Sequence, residues 1–360
     1  MNNNIFVWDK YSDQPYPIKD REFKKKQRSK NKLEYLKLAL TNMLFFPTAA
    51  ASMKAFTAKN NHRPYEKQYF YGLGVNLDKG DIQYELVEEL GVKSLIIRIP
   101  LSDISNLYRY YLFVQRFKQQ DPSIDILLNI LQDRVHIENK QLLRSHIIEI
   151  FHTFKELVTE YQIGNAINRM KWGFYSIKEY IEFYQVVQQV RDEQFPNIKL
   201  IGPSVIDFEY YYTIRALFNS YNISYDKLGA LLYVDRRGDP KNKQLGIFDT
   251  KNKIDMLYAL VQLSSKCKSD EIYITEVNWP LKGTAPYAPT SPKECVDEFT
   301  YSKYMLEYFD IAYKTQKISK VFWHQLIAPG YGLVDNRDGK IRKMDSFYKF
   351  KRLLQELDSE

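Results

Sequence analysis

From Tyr69 onward the chain alternates short apolar, β-branched runs with longer stretches whose apolar residues recur at helical spacing. The short runs predict strands over residues 70–77, 94–100, 124–132, 161–165, 199–205, 229–234, 271–277 and 319–325. The longer ones predict helices over 82–90, 107–118, 141–158, 177–194, 213–220, 253–264, 296–314 and 346–357, with Asp81 and Ser346 placed as N-caps. Eight strands and eight helices in strict alternation predict an α/β fold, a (β/α)8 TIM barrel. An open doubly wound sheet competes, but it usually has fewer strands and a nucleotide-binding glycine turn. Gly72-Leu-Gly74 lacks the third glycine and the acidic residue of that fingerprint. A barrel needs about 250 residues. The 360 residues therefore divide into an N-terminal helical extension, basic and apolar, over 1–68 and a barrel over 69–360.

Active sites on this fold lie at the C-terminal ends of the strands. Those ends carry Asn76, Arg98, Gln132-Asp133-Arg134, Asn165, Asn168-Arg169, Asp207, Tyr233, Asp235-Arg236-Arg237, Glu276, Asn278-Trp279 and Trp323-His324-Gln325, a polar and aromatic rim on apolar strands. The sharpest element is Glu276, a carboxylate embedded in the β run Ile272-Tyr-Ile-Thr-Glu-Val-Asn-Trp. A buried charge without chemical purpose needs a partner, so Glu276 is either the catalytic centre or salt-bridged to a strand-end arginine.

These residues resemble clan A of the retaining glycoside hydrolases over roughly residues 69 to 357. Ile-Thr-Glu276-Val-Asn-Trp is similar to the strand-seven nucleophile segment, and Arg98 in Ile-Ile-Arg-Ile-Pro to the strand-two arginine that supports the nucleophile. Tyr233 is similar to the strand-six aromatic that hydrogen-bonds it, and Trp323 to the strand-eight tryptophan beneath the sugar. Tyr331-Gly-Leu-Val-Asp-Asn-Arg-Asp-Gly339 resembles the segment leading into the last helix. The resemblance implies a glycosidase with Glu276 as nucleophile or charge stabiliser, and with Asn165 on the sugar hydroxyl beside the reacting carbon. Asp133, Arg134, Asn168, Arg169, Arg236, Trp279, Trp323 and His324 are the further candidates for binding substrate. The departure is at strand four, where the clan's Asn-Glu acid/base pair reads Asn165-Ala166. Alanine cannot protonate a leaving oxygen, and Asp133, Asp207, Asp235 and His324 are the alternatives within reach. The competing function is a non-catalytic barrel that binds glycan or supports a partner.

Composition and charge refine this picture. The formal net charge is +8, with 29 Tyr and 21 Phe. An anionic partner follows from the charge, but nucleic acid is excluded because no recognition motif organises the basic residues. Arg98, Arg134, Arg169, Arg236 and Arg237 at the strand ends predict a ligand bearing carboxylate or phosphate. By chemical analogy, that is an acidic sugar of bacterial surface polysaccharide or lipopolysaccharide, such as a Kdo-type (octulosonic acid) ketoside. Asp133 and Asp235 offer the alternative of a self-neutralised rim. Cys267 and Cys295 show no CxxC spacing, and the five histidines no metal-ligand spacing, so neither a disulfide framework, a metal nor a cofactor is predicted. Residues 1–16 are too polar for a signal peptide, which predicts a cytoplasmic or membrane-peripheral location. The basic run over 24–32 precedes an apolar stretch with 16 uncharged residues between Lys37 and Lys54, broken by Pro47. That pattern predicts either a helix on an anionic membrane surface or against a membrane-protein partner, or a helix capping the barrel floor.

Overall fold

The computed structural model describes residues 6–56 and 67–358. Eight parallel strands close into a barrel: β1 Tyr71–Val75, β2 Ser94–Pro100, β3 Asp125–Leu131, β4 Glu160–Ile163, β5 Lys199–Ile206, β6 Lys227–Leu231, β7 Ile272–Val277 and β8 Lys320–Trp323. β8 pairs with β1, so no sheet edge is left and the open-sheet alternative is excluded. Each strand is sandwiched between the barrel interior and a helix, which is why it reads as an almost unbroken apolar run. Ile96, Leu127, Ile201, Tyr273 and Phe322 fill the interior. Gly72 is required there, since a Cβ on it would stand 2.4 Å from the Phe322 ring.

Two long helices, α1 Arg21–Lys30 and α2 Lys32–Ser52, and a single turn at Lys67–Phe70 precede the barrel among the described residues. The helices that follow the strands are α3 Ile82–Leu90, α4 Leu107–Gln120, α5 Lys140–Phe154, α6 Ile177–Gln194, α7 Tyr210–Leu217, α8 Thr250–Leu263, α9 Glu298–Lys314 and α10 Asp345–Asp358. Of the two expected N-caps, Asp81 holds the position without a capping side-chain bond and Ser346 is corrected. Asp81 precedes α3, but its carboxylate binds Arg116 at 2.8 Å instead of a helical N–H. Ser346 lies inside α10, fully buried. Side-chain caps stand elsewhere, as where Ser176 accepts from Glu179 N–H at the start of α6.

The extension lies along the barrel's flank and not beneath its floor. α2 runs through Pro47 unbroken and packs on α7, with Phe45 stacked on Phe218 at 4.0 Å and Phe46 on Tyr210 at 4.8 Å. Glu34 and Arg215, both buried, form an ion pair at 2.8 Å, and Asn42 donates to Tyr211 O at 2.9 Å. The opposite face of α2 leaves Leu33, Leu36, Leu40, Met43 and Leu44 exposed. No helix among the described residues is long and apolar enough to cross a membrane.

Candidate active site

Glu276 is the penultimate residue of β7, at the C-terminal mouth, and is 8% exposed. Arg98 on β2 reaches across the mouth and donates Nη2–H to Glu276 Oε2 at 2.5 Å. Tyr233, two residues past β6, donates its hydroxyl to Oε1, also at 2.5 Å. Burial alone pushes the Glu276 carboxyl upward. The fields of His324 and Arg98, with the Tyr233 and Arg98 hydrogen bonds, bring it below the usual carboxylate range. Burial, aided by the Arg98 charge, drives His324 down to about 4. The imidazole is thus neutral near neutral pH, and Arg98 is the cation that keeps Glu276 ionised.

The segment after β4 sits at the same mouth. Asn165 Oδ1 accepts from Asn129 Nδ2 at 3.2 Å and from Gln162 Nε2 at 3.1 Å. Its Nδ2 is buried without a hydrogen-bond partner, a donor left free at the site. Ala166 is fully buried in a left-handed conformation, φ 47°. Asn168 is occupied in tying this segment to β5 and beyond, through Ile206 N–H and O and through Glu209.

Most of the arginines expected to meet an acidic ligand are already paired. Arg134 binds Glu179 and Glu138, both at 2.8 Å; Arg169 binds Asp207 and Glu209, both at 2.7 Å; Arg237 binds Asp207 at 3.1 Å. The rim is therefore neutralised from within, but by Glu138, Glu179, Asp207 and Glu209 and not by the expected Asp133, which binds His136 at 2.8 Å, or Asp235. Only Arg236 of this set is exposed and has no ion-pair partner among the described residues. Trp279 and Trp323 stack on each other at 5.8 Å and are fully buried. Their indole N–H groups are bonded to Gly238 O and the Tyr301 hydroxyl. Neither offers a free face to a sugar, since Tyr301, Tyr304, Tyr308 and Phe309 pack against them, which corrects their expected place among the substrate-binding residues.

What covers the mouth is the beginning of the chain. Trp8–Asp9 pairs antiparallel with Gln14–Pro15, and the tip of this ribbon enters the mouth. Asp13, 8% exposed, accepts from Lys79 at 2.8 Å, Gln325 at 2.7 Å and Tyr331 at 3.1 Å through Oδ2. Its carbonyl accepts from Arg98 Nη1 at 3.2 Å. Gln14 bonds Lys171 Nζ at 2.6 Å and Pro289 O at 3.1 Å. A cavity of about 730 Å³ remains between the ribbon and the loops after β2, β3 and β4, lined by Trp8, Asp133, His136, Lys171 and Trp172 among others. Asp13, Lys79 and Lys171 are the site residues that strand-end reasoning missed; Gln325 stood on the strand-eight end and Tyr331 in the segment before the last helix, neither with a role.

No family model and no curated protein matches the chain. Among solved structures, the barrel is similar to virulence factor SghA from Agrobacterium tumefaciens, with a TM-score of 0.58, 10% identity, and coverage of 82% of this chain and 99% of that one. A rice β-glucosidase, Os3BGlu6, gives a TM-score of 0.56 at 10% identity over 80% of this chain and 98% of that one. A monomeric β-xylosidase from Caulobacter crescentus gives 0.54 at 12% identity over 80% and 68%. The shared property is the barrel fold, the one expected from the strand-end motifs.

Proposed function

We propose that this chain is a glycosidase-like enzyme acting on a glycan, with Glu276 as nucleophile. The observation that carries the reading is the Glu276 carboxylate, buried at the barrel mouth and held ionised by Arg98 and Tyr233. Two converging donors have no structural need to hold a bare carboxylate at that depth unless an electrophilic carbon approaches it. The unpaired Nδ2 of Asn165 supports a role for this side chain as donor to a sugar hydroxyl.

The leaving oxygen needs a proton that Ala166 cannot supply. Asp207 is held ionised against burial by Arg237 and Arg169, and Asp133 by His136, so neither carries a proton at neutral pH. His324 is neutral. Asp235, just past β6, does not line the cavity. Lys171 lines the cavity beside the mouth, its charge reaches Glu276, and it forms no salt bridge among the described residues. Burial lowers it to about 8. In the first step the Glu276 carboxylate bonds to the anomeric carbon while the glycosidic C–O bond breaks and its oxygen takes a proton from Lys171. In the second, the neutral amine takes a proton from water as that water's oxygen replaces Glu276 on the carbon.

An ammonium is a weak acid, which suits a substrate whose cation forms readily. A 2-keto sugar acid of the octulosonic or sialic type departs from a tertiary anomeric centre and meets that condition. A Kdo-type ketoside of bacterial lipopolysaccharide or surface polysaccharide is therefore the proposed substrate class. The exposed apolar stripe of α2, next to the basic residues of α1, suits apposition to an anionic membrane surface carrying such glycans. A second reading, a glycan-binding barrel without turnover, is favoured by Ala166 and by the occupied mouth. A glycan screen on wild type and Glu276→Gln decides between them. Turnover lost in the variant with binding retained supports the enzyme, and binding without turnover in both supports the second reading.

A further inference from the structure

The ribbon tip occupies the mouth as a ligand would. Asp13 is far from its receptor in sequence, yet its Oδ2 meets three donors from two separate parts of the barrel: Lys79 after β1, and Gln325 and Tyr331 after β8. The donors have contacts besides Asp13: Lys79 also pairs with the exposed Asp78 at 3.1 Å, and Gln325 and Tyr331 are held by the barrel. Gln325 is turned by Asn76, whose Nδ2 donates to Gln325 Oε1 and so leaves Nε2 to point at the carboxylate. Tyr331 stacks on His324 at 5.5 Å, and Tyr331 and Gln325 are both almost fully buried. One cation, one amide and one hydroxyl aimed at a single oxygen form a preorganised carboxylate receptor. It adjoins the candidate nucleophile, since the same Arg98 guanidinium binds the Asp13 carbonyl and the Glu276 carboxylate.

Asp13 is not the missing acid. Burial raises it, but the Lys79 charge and hydrogen bonds bring it below the usual carboxylate range. It also stands on the β8–β1 side of the mouth, whereas Ala166 is on the β4 side. Its backbone lies in the left-handed region, φ 49°, which aspartate at a tight tip tolerates.

We propose that Lys79, Gln325 and Tyr331 form a carboxylate subsite for the ligand's acid group, which the chain's own Asp13 fills as a pseudo-ligand until the ribbon withdraws. The proposal rests on the acidic-glycan reading above and assigns the cation that the paired rim arginines do not supply. A docked ribbon lowers apparent affinity by the fraction of open molecules.

The test is calorimetric binding of 3-deoxy-octulosonic acid, N-acetylneuraminic acid and D-glucose to the full-length wild type, Asp13→Asn and Lys79→Gln. Both variants break the Lys79–Asp13 ion pair, and asparagine retains tolerance for the left-handed backbone. Only Asp13→Asn keeps the subsite cation. The expected result is about tenfold tighter binding of at least one acid by Asp13→Asn, no such gain by Lys79→Gln, and no change for glucose. Equal affinities in wild type and Asp13→Asn, no acid binding by Asp13→Asn, or an equal gain for glucose or in Lys79→Gln would overturn it. Circular dichroism of both variants establishes that they are folded. Turnover is scored separately through Glu276→Gln, so acid binding without hydrolysis sinks the enzyme reading and leaves the subsite standing. Hydrolysis without the Asp13 effect does the reverse.

Discussion

Replacing Lys171 with methionine removes the proposed proton donor while keeping much of the side chain's bulk. Among the described residues its ammonium has one hydrogen-bond partner, Gln14 Oε1 at 2.6 Å, and burial lowers it to about 8. Proton donation requires the charged form, so turnover should hold at neutral pH and fall as pH rises through about 8. Loss of general-acid assistance typically costs about 10²- to 10⁴-fold. The full loss should appear with an alkyl glycoside, whose leaving alkoxide needs the proton, and far less with a 4-nitrophenyl glycoside of the same sugar. The assay is kcat/KM for both substrates across the pH range, on wild type, Lys171→Met and Lys171→Arg. The arginine variant should lose the basic limb together with the rate, because guanidinium is too weak an acid. A wild type with no basic limb, a limb surviving in Lys171→Met, or equal losses on both substrates would refute the assignment.

Three further outcomes are expected. Arg98→Met leaves Glu276 buried without its counter-ion and should cost about 3–5 kcal/mol at neutral pH. In wild type the depressed carboxyl contributes stability above its unfolded pKa that is lost on acidification. Urea denaturation should therefore show the wild-type advantage shrinking as pH falls, first as the upward-shifted Glu276 carboxyl of the variant takes up a proton and then, below about 4.3, as the wild-type carboxyl loses its contribution; a pH-independent gap would contradict the account. Arg215→Ala strands Glu34 between α2 and α7 and should cost a similar amount, about 3–5 kcal/mol, with faster hydrogen exchange across α2; unchanged stability would mean that the pair does not anchor the helix. The intact protein should sediment with anionic vesicles and detach at high salt, and Leu36→Glu with Leu40→Glu should abolish this; equal binding to neutral vesicles would reject the electrostatic component.

Where a residue's role depends on its own strand, it was legible. The apolar run of β2 matches its predicted limits at both ends, and its single charge, Arg98, is the one that reaches Glu276. α6 likewise matches, because its apolar spacing and the Ser176 cap are local signals. β4 ends two residues earlier than expected, since Gly164 and Ala166 adopt positive φ that residue type does not announce. Pro47 suggested a break in α2, but its flanking residues are held by Phe45 and Phe46 against the barrel, and this packing overrides the missing N–H. The rim arginines misled because their partners Glu179, Asp207 and Glu209 lie roughly 40 residues away along the chain. Asp13 was invisible for the same reason, its partners being Lys79, Gln325 and Tyr331. A polar tail and a plug that fills a receptor look alike until the barrel closes.

The central claim, that Glu276 attacks an anomeric carbon, is tested most directly by trapping the intermediate. An activated fluoroglycoside of the sugar found in the glycan screen should be incubated with the Asp13→Asn protein and the digest examined by mass spectrometry. The account predicts a single glycosyl adduct on the peptide containing Glu276, absent from the Asp13→Asn protein that also carries Glu276→Gln. An adduct on any other carboxylate, or hydrolysis that continues undiminished after Glu276→Gln, would contradict it.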